Sequence, residues 1–287
     1  MYILGRIFIG LLGLVALMIV LGWVFKIEFN EMVDKEVAAF FVGVDQEEST
    51  VIAKADLANL PEPVQRWLEY AQIIGKEQAI TARSKQEAVM RLKAEQDWLP
   101  LESDQYFRVD KPGFIWKADV KMMPLVHISG RDKYYQGKGN MLIRVLSMFT
   151  VANGIGPEMD QGSLIRYLAE IVWVPPAALR DYITWEEIDE NSAKATMTYK
   201  GVTASGIFSF DEEGAPVSFL ADRYGDFEGQ YILKPWLITM SEYQEFDGIK
   251  IPTEGEVTWK LEEGDFTWYR FRVKEIEYNK ADLWMPY

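Results

Sequence analysis

An apolar run from Ile7 to Phe25 carries no charged residue, and nothing else in this chain constrains its architecture as strongly. As a helix rising ~1.5 Å per residue, about twenty such residues cross the ~30 Å hydrocarbon layer of a bilayer while satisfying their own backbone hydrogen bonds. The run therefore predicts a single transmembrane anchor over residues 1–27, and no second span is visible. A cleaved secretory signal is the competing reading, because Arg6 precedes an apolar core. Cleavage needs small residues, and neither Ala16-Leu17-Met18 nor Val20-Leu21-Gly22-Trp23 matches that pattern. The chain has no cysteine, which excludes lipid attachment to a thiol, disulfides and thiol chemistry without choosing a redox compartment.

Orientation follows from basic residues. Arg6 lies before the run, while Lys26 and Lys35 after it stand among Glu28, Glu31, Asp34 and Glu36. Counting basic residues alone the difference is small, and the net sense favours an amino terminus inside and an exported domain. The net charge of −14 lies almost wholly in that domain. Such a surface repels phosphate backbones, and no basic stripe interleaved with aromatics offsets it, so nucleic acid is not an expected partner. The same sign opposes docking of the domain on anionic lipid, and solubility accounts for the acidity.

Behind the anchor, Phe29, Met32, Val33, Val37, Phe40 and Phe41 recur at helical spacing among acids, which predicts that the helix continues as an amphipathic stem. Stem and linker occupy residues 28–59, with Val44 to Thr50 reading as the linker. Pro61 and Pro63 open a helix whose Val64, Trp67, Leu68 and Ala71 share one face, closed by Gly75. The folded domain is expected from residue 60 to 287. From Ile80 the period changes to two. Trp116, Ala118, Val120 and Met122 share one face, as do Ala193, Ala195, Met197 and Tyr199, and as do Val257, Trp259 and Leu261. Turns at Lys200-Gly201, Asp211 to Gly214, Asp247-Gly248 and Glu262 to Asp265 make the strands an antiparallel meander. Tyr269, Phe271 and Val273 share a parity that Ile276 and Tyr278 break, placing a bulge near Lys274.

One helix interrupts the strands. Leu164, Tyr167, Leu168, Ile171 and Val172 form its stripe, Asp160 or Ser163 is its expected cap, and Pro175-Pro176 ends it. Before it, Val151 to Glu158 reads as a glycine-rich loop, with Gly154, Gly156 and Glu158 as loop candidates for function, or as a plain strand-to-helix connection. A sheet of some ten or more long strands cannot stay flat. The fold class is thus mainly β (α+β), a curved antiparallel half-barrel covered by one or two helices. Trp98, Trp116, Trp173, Trp185, Trp236, Trp259 and Trp268 exceed what an aliphatic core needs. They fill the concave face or line an apolar pocket there.

Several segments together resemble an uncharacterised bacterial family of unknown function. They include Pro112-Gly113-Phe114-Ile115-Trp116, Arg166-Tyr167-Leu168-Ala169-Glu170 with Trp173-Val174-Pro175-Pro176, Phe208-Ser209-Phe210-Asp211, and Tyr243 to Gly248 with Ile251-Pro252. The resemblance covers roughly Leu60 to Asn279. More distantly the strand and turn grammar is similar to the lipoprotein-carrier fold of LolA and LolB, in which a half-barrel with helices across its open side shelters acyl chains. That likeness implies a domain that binds a lipid or another apolar small molecule; those carriers are soluble or lipid-anchored, whereas the apolar run predicts for this chain a single-pass protein of the bacterial cytoplasmic membrane with an extracytoplasmic domain. It supplies no catalytic residue.

The inventory offers little chemistry. His127 is the only histidine, which excludes a histidine-rich zinc site, and it sits in a strand-like context without a nucleophile elbow. Gly154-Ile155-Gly156 alone is not a phosphate loop, so neither metal nor cofactor is expected. Glu158, Asp160 and Glu170 are the only candidates for a carboxylate hydrolase, and helix capping explains acids at a helix start equally well. Two readings therefore stand. One is a tethered binding module with Trp116, Met197, Trp259, Tyr167 and Leu164 lining an apolar site. The other is a fully packed module of the cell envelope that meets an unknown protein partner through its acidic face or the Gly154 loop.

Overall fold

Alternating apolar and polar residues become one antiparallel sheet. The computed structural model describes residues 2–44, 50–123 and 126–284. The first half of the meander is β1 (Thr81–Met90), β2 (Leu99–Arg108), β3 (Gly113–Met123), β4 (Val126–Tyr135), β5 (Lys138–Val145) and β6 (Phe149–Gly154). The second is β7 (Ile183–Asp189), β8 (Ser192–Tyr199), β9 (Val202–Phe210), β10 (Pro216–Phe227), β11 (Gln230–Phe246), β12 (Ile249–Leu261) and β13 (Gly264–Tyr278). Pairing of β1 with β13 joins the halves into one sheet whose edges are β6 and β7.

Four two-residue hairpin loops have positive φ at both positions: Gln136-Gly137, Lys200-Gly201, Glu228-Gly229 and Asp247-Gly248. That backbone matches the right-handed twist of the flanking strands. The bulge expected near Lys274 is present, because Lys85 pairs with Glu275 and Gln86 with Val273, leaving Lys274 unopposed. The expected inward parity holds for Ala118, Val120, Ala193, Ala195, Met197, Val257 and Trp259, buried in a single core, whereas Met122, at the register shift after Lys121, is exposed.

Helix α2 (Glu62–Tyr70) buries Val64, Trp67 and Leu68, and the Trp67 ring stacks on Phe208 at 5.9 Å and on Phe210 at 5.8 Å. Residues before it belong to the same packed body, since Ile52 and Leu57 join the main core. The expected linker lies partly outside the described residues, at positions 45–49.

Helix α3 (Pro157–Glu170) lies across the concave side, packing on β4 and β5 of one half and on β9 and β10 of the other. Close approach is possible because residue 139 is glycine. A Cβ there would come within 2.4 Å of the Met159 carbonyl oxygen. Two expectations change here. The helix starts at Pro157 behind Gly156, and neither Asp160 nor Ser163 is its cap. Asp160 instead accepts hydrogen bonds from the Gly139 amide and Lys138 Nζ, both at 2.8 Å, so the carboxylate fixes the helix to the β4–β5 hairpin. Half of the glycine-rich stretch is strand, with Val151 to Gly154 in β6, where Asn140 Nδ2 donates to Gly154 O at 2.9 Å and holds it to β5. Two 3-10 turns, Ile171–Trp173 and Pro175–Leu179, then lead to β7.

Helix α1 (Tyr2–Phe41) is continuous, joining the expected anchor to the expected stem. The stem half packs on the outer face of β2 to β5, where Phe29, Val33, Val37, Phe40 and Phe41 meet Tyr106, Ile115 and Leu142. Ion pairs frame this contact, Lys26 to Asp119 at 2.8 Å and Glu36 to Lys133 at 2.9 Å. In the expected anchor, Ile7 to Phe25, most side chains before Ile19 lie outside the described residues. Among the described residues no helix is long and apolar enough to cross a membrane.

The end of α1 is closed by one side chain. Arg108, at the end of β2 and fully buried, donates to the carbonyls of Phe40 (2.6 Å), Val42 (3.0 Å) and Gly43 (2.9 Å) and pairs with Asp110 at 2.7 Å. It supplies both the missing donors and the positive charge that a helix carboxyl end favours. Arg108→Leu strands those carbonyls and Asp110, and should lower unfolding free energy by about 3 kcal/mol. Chemical denaturation of the full chain in detergent checks this, with proteolysis near Phe41 expected to accelerate.

Candidate functional site

The concave face is not completely filled. Between the sheet and the C-terminal half of α3 lies a cavity of about 360 Å³. Trp116, Ile128, Met141 and Ile143 wall it on one side; Trp236, Ile238, Met240 and Val257 wall it on the other, with Trp268 and Phe271 at the back. Val172 and Trp173 come from the turn after α3, while Leu92 and Val151, both exposed, also border it. These are consecutive inward positions of neighbouring strands, so a single alternation rule places them together.

A polar cluster lies against this greasy wall. Arg166 on α3 donates to Asp132 of β4 at 2.6 Å and to Glu170, one turn on, at 2.7 Å. Gln105 donates to the other Glu170 oxygen at 2.6 Å, and Gln86 donates to Gln105 at 3.2 Å. The Arg166 guanidinium also lies 4.7 Å from the Phe114 ring and 5.0 Å from that of Trp116. Burial raises the Glu170 pKa, against the pull of Arg166, while the paired carboxylates hold that of Arg166 up despite its own burial. Both oxygens of Glu170 are committed to protein donors. The geometry is that of a structural brace, since a buried network stabilises only when its members are satisfied.

Of the lining residues expected from the sequence, Trp116 stands on the cavity wall. Met197, Tyr167 and Leu164 are packed in the core beside it, and the Tyr167 hydroxyl donates to Arg108 O at 3.2 Å. Trp259 is also in the core, edge-on to Phe227 at 5.3 Å. Gly154 closes β6 under Met159 and Tyr231, Gly156 precedes α3 with φ of 116°, and Glu158 occupies the first turn. These three do not reach the cavity wall. The wall positions Trp236 and Trp268 had been grouped only as surplus tryptophan, because strand parity alone does not tell concave from convex. Arg223 was missed, although a signal was available: it continues the apolar register of Phe219 and Ala221 along β10.

His127 opens β4, and its Nε2 lies 2.9 Å from Ser147 Oγ, which meets Ser129 Oγ at 2.8 Å. Ser147 is fully buried, so its hydroxyl meets no substrate. Among the described residues no three His, Asp or Glu side chains gather where they could hold a metal ion.

Fold and site together define a class, a helix-covered antiparallel half-barrel with an apolar cavity on its concave side. The chain belongs to a family of unknown function, DUF6544, whose model matches residues 50–271. In structure it is similar to a putative outer membrane lipoprotein-sorting protein domain from Vibrio parahaemolyticus, at 8% identity and TM-score 0.40, over 69% of this chain and 85% of that one. It is also similar to a LolA superfamily protein from Nitrosomonas europaea, at 9% identity and TM-score 0.44, over 76% and 94% of the two chains. A DUF1329 family protein from Desulfovibrio piger stands at 11% identity and TM-score 0.43, over 76% and 92%. Family and distant LolA likeness are those named from the sequence motifs; at such scores the structural likeness carries no argument about what this chain does. No curated protein matches the chain in sequence.

Burial, and then the nearby charge of Lys26, hold the His127 pKa below its ordinary value. The unfolded chain therefore binds the proton more readily, and stability is lost as pH falls from the usual imidazole range, about 6.5, through the folded value. His127→Gln should flatten the melting temperature profile between about pH 7 and pH 5. Thermal scans of both proteins across that range check the prediction.

Proposed function

We propose that this protein is a membrane-tethered, extracytoplasmic module whose half-barrel holds a lipid or another apolar molecule. The observation that carries the reading is the cavity of about 360 Å³, walled by tryptophan, methionine and branched aliphatic side chains beneath α3. Its size lies at the low end of the ~300–1,000 Å³ typical of small-ligand sites, which suits a single acyl chain. Its make-up, predominantly apolar walls with a few polar groups to one side, is the usual one for such sites.

Tethering is supported separately. The charge-free run from Ile7 to Phe25 has the length of a membrane span, and Ile19, Val20, Trp23, Val24 and Ile27 stand exposed along α1. An apolar surface of that kind calls for lipid or a partner. The acidic flank after the run, Glu28, Glu31, Asp34 and Glu36, against Arg6 before it favours an amino terminus inside and a half-barrel outside the cytoplasmic membrane.

Native mass spectrometry of the full chain released from detergent micelles, followed by lipid extraction, should find a bound apolar molecule. Ala118→Trp, which fills the cavity from β3, should abolish that adduct and binding of a polarity-sensitive apolar dye while the protein stays folded by circular dichroism. A wild-type protein that is empty and takes up no dye overturns the binding reading. The tether is checked by alkaline carbonate extraction, which should leave the protein in the membrane, and by protease added to spheroplasts, which should digest the half-barrel.

A further inference from the structure

The polar side of the cavity contains two guanidiniums in different circumstances. Arg166 is enclosed by Asp132 and Glu170. Arg223, projecting from the concave face of β10, makes no ion pair among the described residues. Its Nε donates to the Gly162 carbonyl of α3 at 3.0 Å, and its guanidinium lies 4.9 Å from the Trp236 ring and 6.0 Å from that of Trp259. The acids equal the guanidiniums in number, yet both form their ion pairs with Arg166. A guanidinium has five N–H donors, so most of those on Arg223 remain without a protein acceptor. Arg223 itself is only half-buried, whereas three further donors on the same walls, the indole N–H groups of Trp116, Trp236 and Trp268, are buried with no acceptor among the described residues.

Unmet donors beside an apolar space are costly unless something supplies acceptors. Resting on the binding reading above, we propose that the ligand is a single-chain amphiphile with an anionic head, a carboxylate or phosphate monoester, held by Arg223 while its chain lies among Trp116, Ile143, Trp236 and Met240. The planar donor fork suits both head groups, and charge-assisted bonds of this kind are roughly twice as strong as neutral ones. Burial and then the charge of Arg166 depress the Arg223 pKa to about 10, against the pull of Asp132 and Glu170, so a bound anion relieves a positive charge that its surroundings disfavour. Aliphatic and aromatic walls bind the chain without discriminating between heads. Discrimination falls to Arg223.

The full chain in detergent-free nanodiscs, with dye displacement as the readout, tests this with dodecanoate, dodecyl phosphate and dodecanol. Wild-type protein should bind at least one of the two anions at least ten-fold more tightly than the alcohol. Arg223→Met should remove that preference and leave dodecanol binding unchanged, whereas Arg223→Lys should retain part of it. If the dye binds but all three probes displace it equally in the wild type, the anionic head is refuted and the apolar-binding reading survives. If neither dye nor probe binds, both fail. Should Arg223→Met not fold, the wild-type comparison and the lysine variant still decide.

Discussion

The twist of a long antiparallel sheet is the constraint from which the rest of this structure follows. A sheet of this width built from strongly twisted strands cannot lie flat, so its edges are carried toward one another. Those edges, β6 and β7, are also consecutive in the chain, so the segment joining them must cross the open side. Helix α3 makes that crossing. Its approach depends on Gly139, where a side chain would strike helix backbone, and on the Asp160 carboxylate, which accepts from the amide of that same glycine. Because the helix sits against β5 on one side and β9 and β10 on the other, the cavity is the space its C-terminal half leaves over the middle strands.

Much of this was legible in the residues themselves. Alternation of Trp116, Ala118 and Val120 against charged neighbours predicts both the strand and its buried face, and the broken parity after Val273 locates a bulge at Lys274. Turn residues reveal the hairpins because few residues tolerate positive φ. What could not be read was which buried residues touch empty space. Met197 and Trp116 have the same inward parity, yet one is packed solidly and the other borders the cavity, a distinction set by the path of α3 and by no local pattern. Asp160 misled for a related reason: its position suits a helix cap, but a tertiary contact with the β4–β5 hairpin claims its oxygens.

Three buried or half-buried arginines show how differently one residue type is accommodated. Arg108 spends its donors on helix-end carbonyls and Asp110, which locks α1 to β2. Arg166 is neutralised by two acids and braces α3 against β4. Arg223 has one carbonyl and an aromatic face, and forms no ion pair among the described residues, with only the more distant charges of Asp132 and Glu170 in its favour. Desolvation of a guanidinium is offset by partners of opposite charge in the first two cases and by little in the third. Structural roles account for Arg108 and Arg166, whereas Arg223 lines the cavity with donors that the proposed anionic head would use.

The docking of α1 bears on how such an occupant would enter. Phe29 through Phe41 are clamped to the outer face of β2 to β5, and the same helix runs without interruption back to Tyr2. Sharp bends in helices need proline, a glycine or serine pair, a bulge or an inserted group, and between Tyr2 and Phe41 there is no proline and no two glycines are adjacent. Under the proposed tether, the half-barrel is therefore held at a set angle to the bilayer and does not swing on a flexible leash. Under the proposed binding reading, a ligand would exchange through the side of the cavity that Leu92 and Val151 border with exposed apolar side chains.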